Sequence, residues 1–336
     1  MMRMTVLASG SKGNSTVISS SRTRVLVDAG LSCRELLRRM SLAGEDPSAL
    51  DAILITHEHL DHVAGLAVLA RKLRIPVFFT EPTHRAWVRM LTPRTTMSYA
   101  KWLDHLQQEK EARAVAAALD TANQLCTLQE EPVLRSDDPN AAFELPIEAE
   151  PCDAESVETL PVAAKSDPAF LPAVEYFRAG TNFSIGDIDI TPFTIPHDAA
   201  DPCGFVFENE GVRMALATDL GYMPPNVKQA IARSDVLLLE SNHDLEMLRD
   251  GPYPWSVKQR VLSRVGHLSN SATAEYLMRD YDGGAAYIVL GHLSESNNVP
   301  ELARLAAEQA IGDRMTLLGN KILLASQSVP LESICL

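Results

Sequence analysis

Cysteine is scarce in this 336-residue chain and never clustered: Cys33, Cys126, Cys152, Cys203 and Cys335 include no Cys-x-x-Cys pair. An odd, dispersed set suits neither a disulfide framework nor a thiolate zinc site, and it is the pattern of reduced thiols. Long apolar runs are missing too. No stretch approaches the roughly 20 residues that a membrane span needs. The opening Met-Met-Arg-Met-Thr-Val-Leu-Ala-Ser-Gly turns polar too soon for a secretory leader. The expectation is a cytoplasmic protein without a membrane partner. Basic charge is the third deficit, with 30 Lys+Arg against 44 Asp+Glu and a net of −14. That balance argues against a nucleic-acid partner, but the deficit is local. Residues 101–180 hold 16 acidic and 6 basic side chains, a net of −10, which leaves −4 for the remaining 256 residues. Charge does not decide the substrate.

What is present is an alternation of strand-like and helix-like segments, which indicates an α/β protein. Strands are expected around 5–7, 16–18, 24–28, 52–56 and 75–79, with helices over 33–40 and 63–73. Further strands are expected at 187–195, 204–208, 213–217, 235–239 and 285–290, and helices at 255–265, 270–280 and 300–311. Residues 92–178 break the pattern. A helical spacing over about 98–125 gives way to a Pro-, Asp-, Glu- and Ala-rich stretch without a sustained period. This reads as an acidic insertion, one helix and then a loosely ordered segment, inside a single domain spanning 1–336. A lid and a protein-partner surface are both open as its role, and nothing in the sequence fixes the oligomeric state. No internal sequence repeat of domain size is apparent, only a short echo: Gly-His-Leu-Ser at 266–269 and again at 291–294.

The densest chemistry is His57-Glu58-His59-Leu60-Asp61-His62, directly after the apolar run Ala52-Ile53-Leu54-Ile55-Thr56. Imidazole nitrogen and carboxylate oxygen are ligands that Zn²⁺, Mn²⁺ and Fe²⁺ accept, and a tight loop after a strand can aim several of them at one point. The hexapeptide reads as a metal site. Other polar residues also follow strands: Asp28, His197, Asp219, Glu240 and His292. One such residue alone is more often a turn or a cap. Beside a metal motif that needs further ligands, they become candidates.

The pattern His-x-His-x-Asp-His, with His, Asp and His at later strand ends, resembles the metallo-β-lactamase fold, a four-layer αββα sandwich with a dinuclear centre on one edge. The resemblance implies two divalent ions (Zn, Mn or Fe), with His57, His59 and His197 on one, Asp61, His62 and His292 on the other, and Asp219 bridging. Several segments narrow it further: Leu7-Ala8-Ser9-Gly10-Ser11-Lys12-Gly13-Asn14, Leu26-Val27-Asp28-Ala29-Gly30, Pro196-His197-Asp198-Ala199, Glu240-Ser241-Asn242-His243-Asp244, Tyr253-Pro254-Trp255-Ser256-Val257-Lys258 and Gly291-His292-Leu293-Ser294. They are similar to the YycJ/WalJ group of that fold, described as bacterial 5′-to-3′ DNA exonucleases. The likeness spans nearly the whole chain except about 92–175. It implies DNA as the substrate.

The residues support phosphodiester hydrolysis without the family. Two divalent ions roughly 3.5–4 Å apart lower the pKa of a bridging water and bind the attacked phosphoryl oxygens. The departing 3′-alkoxide needs a proton, a service worth roughly 10²–10⁴-fold. His267, just before the expected N-cap Ser269, suits the role of general acid, and Glu240 would favour its protonated form. His267, Glu240 and the ligand Asp61 are therefore the candidate catalytic residues. Asp28, Ser9, Ser11, Lys12, Asn242 and His243 are candidates for bracing the ligands or for binding substrate. The loop 9–14 offers backbone N–H groups and Lys12 to a terminal phosphate, and Lys258, Arg260 and Arg264 offer charge to a nucleic-acid backbone.

Five other readings are weighed against it. A His-Glu-x-x-His protease is excluded by Asp61, and di-iron electron carriers of this fold place Glu where His59 stands. A glyoxalase- or lactonase-like ester or thioester hydrolase and an RNA-processing nuclease would use the same ligands. A metal-stabilised regulatory protein without turnover would not need the Glu240–His267 pair.

Overall fold

The structure, a computed structural model, describes residues 1–92, 167–312 and 319–336, together with 103, 107 and 110. Runs rich in Val, Ile, Leu and Phe form fourteen strands among these residues. The first sheet contains β1 (Arg3–Ala8), β2 (Ser15–Ser19), β3 (Arg24–Val27), β4 (Ala52–Leu54), β5 (Val77–Thr80) and β6 (Val174–Phe177). The second contains β7 (Phe183–Ile185), β8 (Ile188–Thr194), β9 (Cys203–Asn209), β10 (Val212–Ala217), β11 (Val236–Glu240), β12 (Tyr287–Gly291) and β13 (Lys321–Leu324). The C-terminal β14 (Ile334–Cys335) returns to the first sheet, whose order is β14-β1-β2-β3-β4-β5-β6, while the second runs β13-β12-β11-β10-β9-β8-β7.

Side-chain alternation builds the layers. Along β3, Val25 and Val27 face the second sheet and join Phe205, Phe207, Met214 and Val289 in one buried cluster. Leu26 points the other way, into a cluster with Leu36 and Met40 of the helix Cys33–Leu42 and Leu66 and Leu69 of the helix Leu66–Leu73. On the far side, Leu237 and Leu239 of β11 pack under Val227, Tyr276, Leu277 and Ala307, from the helices Pro225–Ile231, Asn270–Arg279 and Pro300–Ile311. Three apolar clusters between four layers make the αββα sandwich.

Each sheet, read from β14 or from β7, has three antiparallel pairings followed by three parallel ones. The architecture thus repeats where the sequence does not. One trace survives: Asp28-Ala29-Gly30 follows β3, and Asp219-Leu220-Gly221 follows the equivalent β10. Both aspartates lie in the left-handed region, at φ 61 and φ 65. Both glycines let a loop press against backbone. A Cβ on Gly30 would meet the Asp61 carbonyl oxygen at 1.7 Å, and one on Gly221 would meet the Arg264 carbonyl carbon at 2.2 Å.

The sequence underestimated several elements. The helices Glu81–Leu91, Pro225–Ile231 and Leu245–Asp250 were not anticipated, nor was β13. The helix expected over 63–73 is broken at Gly65, where a Cβ would meet the Leu31 carbonyl oxygen at 2.1 Å. The segment expected as an insertion over 92–178 ends sooner, because β6 pairs with β5 and closes the first sheet. A four-residue edge strand with Glu175 and Tyr176 exposed carries no pattern to read. By internal contacts the chain divides into residues 1–92 with 165–336, and a second unit, 93–164. The helix expected at about 98–125 and the loosely ordered stretch after it lie outside the described residues, apart from the helical positions 103, 107 and 110. Among the described residues, no helix is long and apolar enough to cross a membrane.

Candidate metal centre

The hexapeptide turns sharply after β4. His57 stands just beyond the strand, His59 precedes the short helix Leu60–Val63, and Asp61 and His62 lie on that helix. His197 follows β8, Asp219 follows β10 and His292 follows β12. All seven residues expected as ligands therefore gather at one edge of the sandwich. Donor atoms of His57, His59 and His197 lie within 4.8 Å of one another, as do those of Asp61, His62 and His292, and those of His57, His62 and Asp219.

Which imidazole nitrogen faces the centre is set by what holds the other one. His62 Nδ1 is 2.8 Å from Asp28 Oδ2, His292 Nδ1 is 2.9 Å from Glu240 Oε1, and His197 Nδ1 is 3.2 Å from the Gly266 carbonyl oxygen. Carboxylates and carbonyls only accept, so each Nδ1 carries a proton and each Nε2 is the nitrogen whose lone pair a cation would take. The Thr56 hydroxyl donates to Asp28 Oδ2 at 2.9 Å and so accepts from His57 Nδ1 at 3.0 Å. His59 is turned the other way, with Nδ1 3.0 Å from His57 Nε2 and 3.2 Å from His197 Nε2. Five ring nitrogens thus converge on one centre.

Carboxylates complete the arrangement. Asp61 Oδ2 is 3.6 Å from both His62 Nε2 and His292 Nε2. Asp219 reaches both donor groups, with Oδ2 3.5 Å from His62 Nε2 and Oδ1 4.0 Å from His197 Nε2. Burial opposes the charge on Asp61 and Asp219, yet the surrounding histidines outweigh it and hold both carboxyls below their ordinary range. Burial likewise opposes protonation of His62 and His292, but the clustered carboxylates raise both well above the usual imidazole value. At His57, burial and three neighbouring histidines act together to lower it.

These residues fit divalent cations. His292 Nε2 and Asp219 Oδ2 are buried and make no hydrogen bond. An unpaired buried polar atom costs about 1–3 kcal/mol, and a cation among these lone pairs would remove that cost. The same cation would supply the positive charge that protons on His62 and His292 otherwise provide. The donor set, imidazole and carboxylate without thiolate, suits Zn²⁺, Mn²⁺ or Fe²⁺.

Beside this cluster, His267 Nδ1 donates to Glu240 Oε1 at 2.8 Å. Glu240 is fully buried. Its Oε1 serves His267 and His292 together, while Oε2 accepts the backbone N–H groups of Leu220 at 2.6 Å and Leu268 at 3.3 Å. The two Gly-His-Leu-Ser segments are the loops on either side of it. Asn242, just past β11, donates its N–H to the Leu268 carbonyl at 2.8 Å and accepts from Ser294 N at 2.8 Å. His59, Asp61, Asp219 and His267 line one open cavity of about 330 Å³.

Other candidates are placed differently. Asp28 braces the hexapeptide, accepting Thr56 N at 2.9 Å as well as His62. Ser9 accepts the His292 backbone N–H at 2.7 Å, and Asn242 Nδ2 donates to the His292 carbonyl at 2.7 Å. The loop 9–14 is not the open anion cradle expected. Five of its six N–H groups are taken, Ser9 by Ser326, Gly10 by the Asn14 side chain, Lys12 by Gln327, Gly13 by Gly10 and Asn14 by Asp61. Ser11 and Lys12 are exposed, and the Lys12 ammonium pairs with Glu295 at 2.5 Å. His243 is buried outside the donor groups, with Nε2 unpartnered and burial lowering its pKa to about 4. Lys258 is buried and donates to the Arg249 and Gly251 carbonyls, while Arg264 stacks over Tyr222.

Sequence reasoning missed three participants. Asn14 brings Nδ2 to 3.0 Å from His62 Nε2 and 3.3 Å from Asp61 Oδ2. Thr56 links Asp28 to His57. Glu58 accepts Ala200 N at 2.9 Å and ties the hexapeptide to the loop after His197. All three stood inside recognised segments, but nothing in the spacing marked them as partners of the histidines.

The family model described as the metallo-beta-lactamase superfamily matches residues 8–257. The chain is 31% identical over 313 residues to "Exodeoxyribonuclease YycJ" of Bacillus anthracis, covering 93% of this chain and 90% of that one. It is 31% identical over 303 residues to "Exodeoxyribonuclease WalJ" of Streptococcus pneumoniae serotype 2 (strain D39 / NCTC 7466), covering 90% and 86%. Among solved structures, the metallo-beta-lactamase fold protein YhfI from Bacillus subtilis aligns with a TM-score of 0.57 at 13% identity, covering 99% of this chain and 100% of that one. That likeness concerns the fold alone.

Proposed function

Because the chain belongs to the metallo-beta-lactamase superfamily, whose members use divalent metal ions, typically two, we propose that it is a metal-dependent exonuclease that degrades DNA from the 5′ end. The observation that carries this reading is His267, locked through Nδ1 to the buried Glu240 and lining the cavity that holds the donor cluster. A proton donor beside two cation sites answers the difficulty specific to phosphodiesters, the poor alkoxide leaving group. The curated relatives named exodeoxyribonucleases point to DNA.

In this reading His57, His59 and His197 would hold one ion, Asp61, His62 and His292 would hold the other, and Asp219 would serve both. When bound, the ions lower the pKa of a water and polarise the phosphoryl oxygens. The chain's own residues do the rest. Asp28, Thr56, Glu240 and the Gly266 carbonyl fix the imidazole tautomers. His267, with Nδ1 committed to Glu240, presents Nε2 to the substrate and gives its proton to the departing 3′ oxygen. The Glu240 carboxylate holds the ring in place before and after the transfer.

The test compares 5′-phosphorylated single- and double-stranded DNA, RNA, a cyclic nucleotide and a thioester, using protein loaded separately with Mn²⁺ and Zn²⁺. Stepwise release of 5′-mononucleotides from DNA is expected. Thioester turnover without nucleic-acid degradation would sink the nuclease reading, and faster loss of RNA than DNA would reassign the substrate.

A further inference from the structure

The cavity of about 330 Å³ has three kinds of wall. One carries the donor cluster and His267. Another is apolar, with Leu60 and Met90, 70% and 50% exposed, and Val257. The third carries Arg260, the one Arg or Lys among the lining residues. Arg260 Nε donates to Asp198 Oδ2 at 2.5 Å. Its two Nη groups, four of five guanidinium donors, have no protein acceptor among the described residues. Asp198 follows His197 directly, and its other oxygen is 3.6 Å from His197 Nε2. One ion pair thus places a largely uncommitted guanidinium beside the centre, while its sequence neighbours Lys258 and Arg264 are engaged elsewhere.

A guanidinium fork with free Nη groups matches phosphate oxygens in two parallel hydrogen bonds. The apolar lining of the same cavity suits the sugar and base joining two phosphates. We propose that Arg260 receives the phosphate one nucleotide from the bond being cleaved, so that the cavity selects a polynucleotide over an isolated diester. The inference rests on the phosphodiesterase reading above and adds a specificity residue to it. Asp198 aims the fork and neutralises it until substrate arrives.

The experiment measures kcat/KM for a thymidine dinucleotide with and without a 5′-phosphate and for bis(p-nitrophenyl) phosphate, in wild type, Arg260→Ala and Arg260→Lys. It also measures the salt dependence of single-stranded oligonucleotide binding by the metal-free proteins in chelator. The 5′-phosphate should raise wild-type kcat/KM about 10- to 100-fold, the worth of a charge-assisted fork. Arg260→Ala should bring that ratio near one, with Arg260→Lys intermediate. The log–log salt slope should become shallower by about 0.7 in Arg260→Ala, the effect of one lost phosphate contact. A 5′-phosphate preference that survives in Arg260→Ala, or an unchanged slope, would overturn the proposal. Wild-type inactivity on all three substrates, with the slope reduced in Arg260→Ala, would refute the phosphodiesterase reading while supporting the phosphate contact.

Discussion

Replacing Asp28 by asparagine tests how the tautomers are set. Asp28 is buried and accepts from His62 Nδ1 at 2.8 Å, Thr56 N at 2.9 Å and the Thr56 hydroxyl. All of its partners donate. An asparagine has one accepting oxygen and one donating NH₂. If the NH₂ faces His62, it forces the ring to carry its proton on Nε2, where a cation would bind. If it faces Thr56, two donors oppose each other in a buried site, at about 1–3 kcal/mol. Neither orientation is satisfied. Loss of such a brace typically weakens metal binding by about 10–100-fold, or about 1.4–2.8 kcal/mol, and the loss should fall mainly on the site containing His62. The assay is competition with a graded chelator series, read as metal stoichiometry, alongside thermal unfolding with and without Zn²⁺. One ion should be lost at chelator strengths that leave wild type with two, and the stabilisation by metal should shrink accordingly. Two ions bound by Asp28→Asn with wild-type affinity would refute the tautomer argument.

His267→Ala should slow cleavage of DNA by about 10²–10⁴-fold and an activated aryl phosphodiester far less, since the aryl leaving group needs no proton; equal losses on both would remove His267 from the acid role. Glu240→Gln removes the charge that both His267 and His292 face, and kinetic cycles should show that adding His267→Ala to it costs much less than in wild type; full additivity would mean that Glu240 does not act through His267. Gly30→Ala drives a Cβ into the Asp61 carbonyl, so it should lower stability by about 1–3 kcal/mol and weaken metal binding together, as denaturant titration and metal competition would report. Lys258→Ala should lower stability by about 1–3 kcal/mol, because two carbonyls lose a buried partner, yet leave the salt slope of DNA binding unchanged; a shallower slope would return Lys258 to the substrate.

The candidate metal ligands were legible because several signals coincided. His57, His59, Asp61 and His62 sit close enough in sequence that one tight loop must bring them together. His197, Asp219 and His292 each follow an apolar strand, and strand ends at one edge of a layered fold can meet only in one place. The substrate side was less legible. Ser9, Ser11, Lys12 and Lys258 have residue types that suit phosphate, but residue type does not reveal whether a donor is already used. In the folded chain Ser9 supports His292, Lys12 pairs with Glu295, and Lys258 is spent on two carbonyls. Edge elements were hard for a related reason. β6 and β13 depend on a neighbouring strand rather than on their own pattern, and the helix Leu245–Asp250 is too short to show a period.

The sequence by itself carried the α/β alternation in its periodicity and the hexapeptide in its spacing, while the remaining candidate ligands and the Glu240–His267 pair came from residue chemistry together with the family resemblance. Tertiary structure alone decided which nitrogen of each histidine faces the centre, because that depends on partners as remote as Asp28 for His62 and Gly266 for His197. It also decided that Glu240 serves two histidines at once, that the loop 9–14 closes on itself, and that Arg260 keeps four donors free beside the cavity. Hydrogen-bond saturation belongs to the whole fold: a donor is available only when no other part of the chain has taken it.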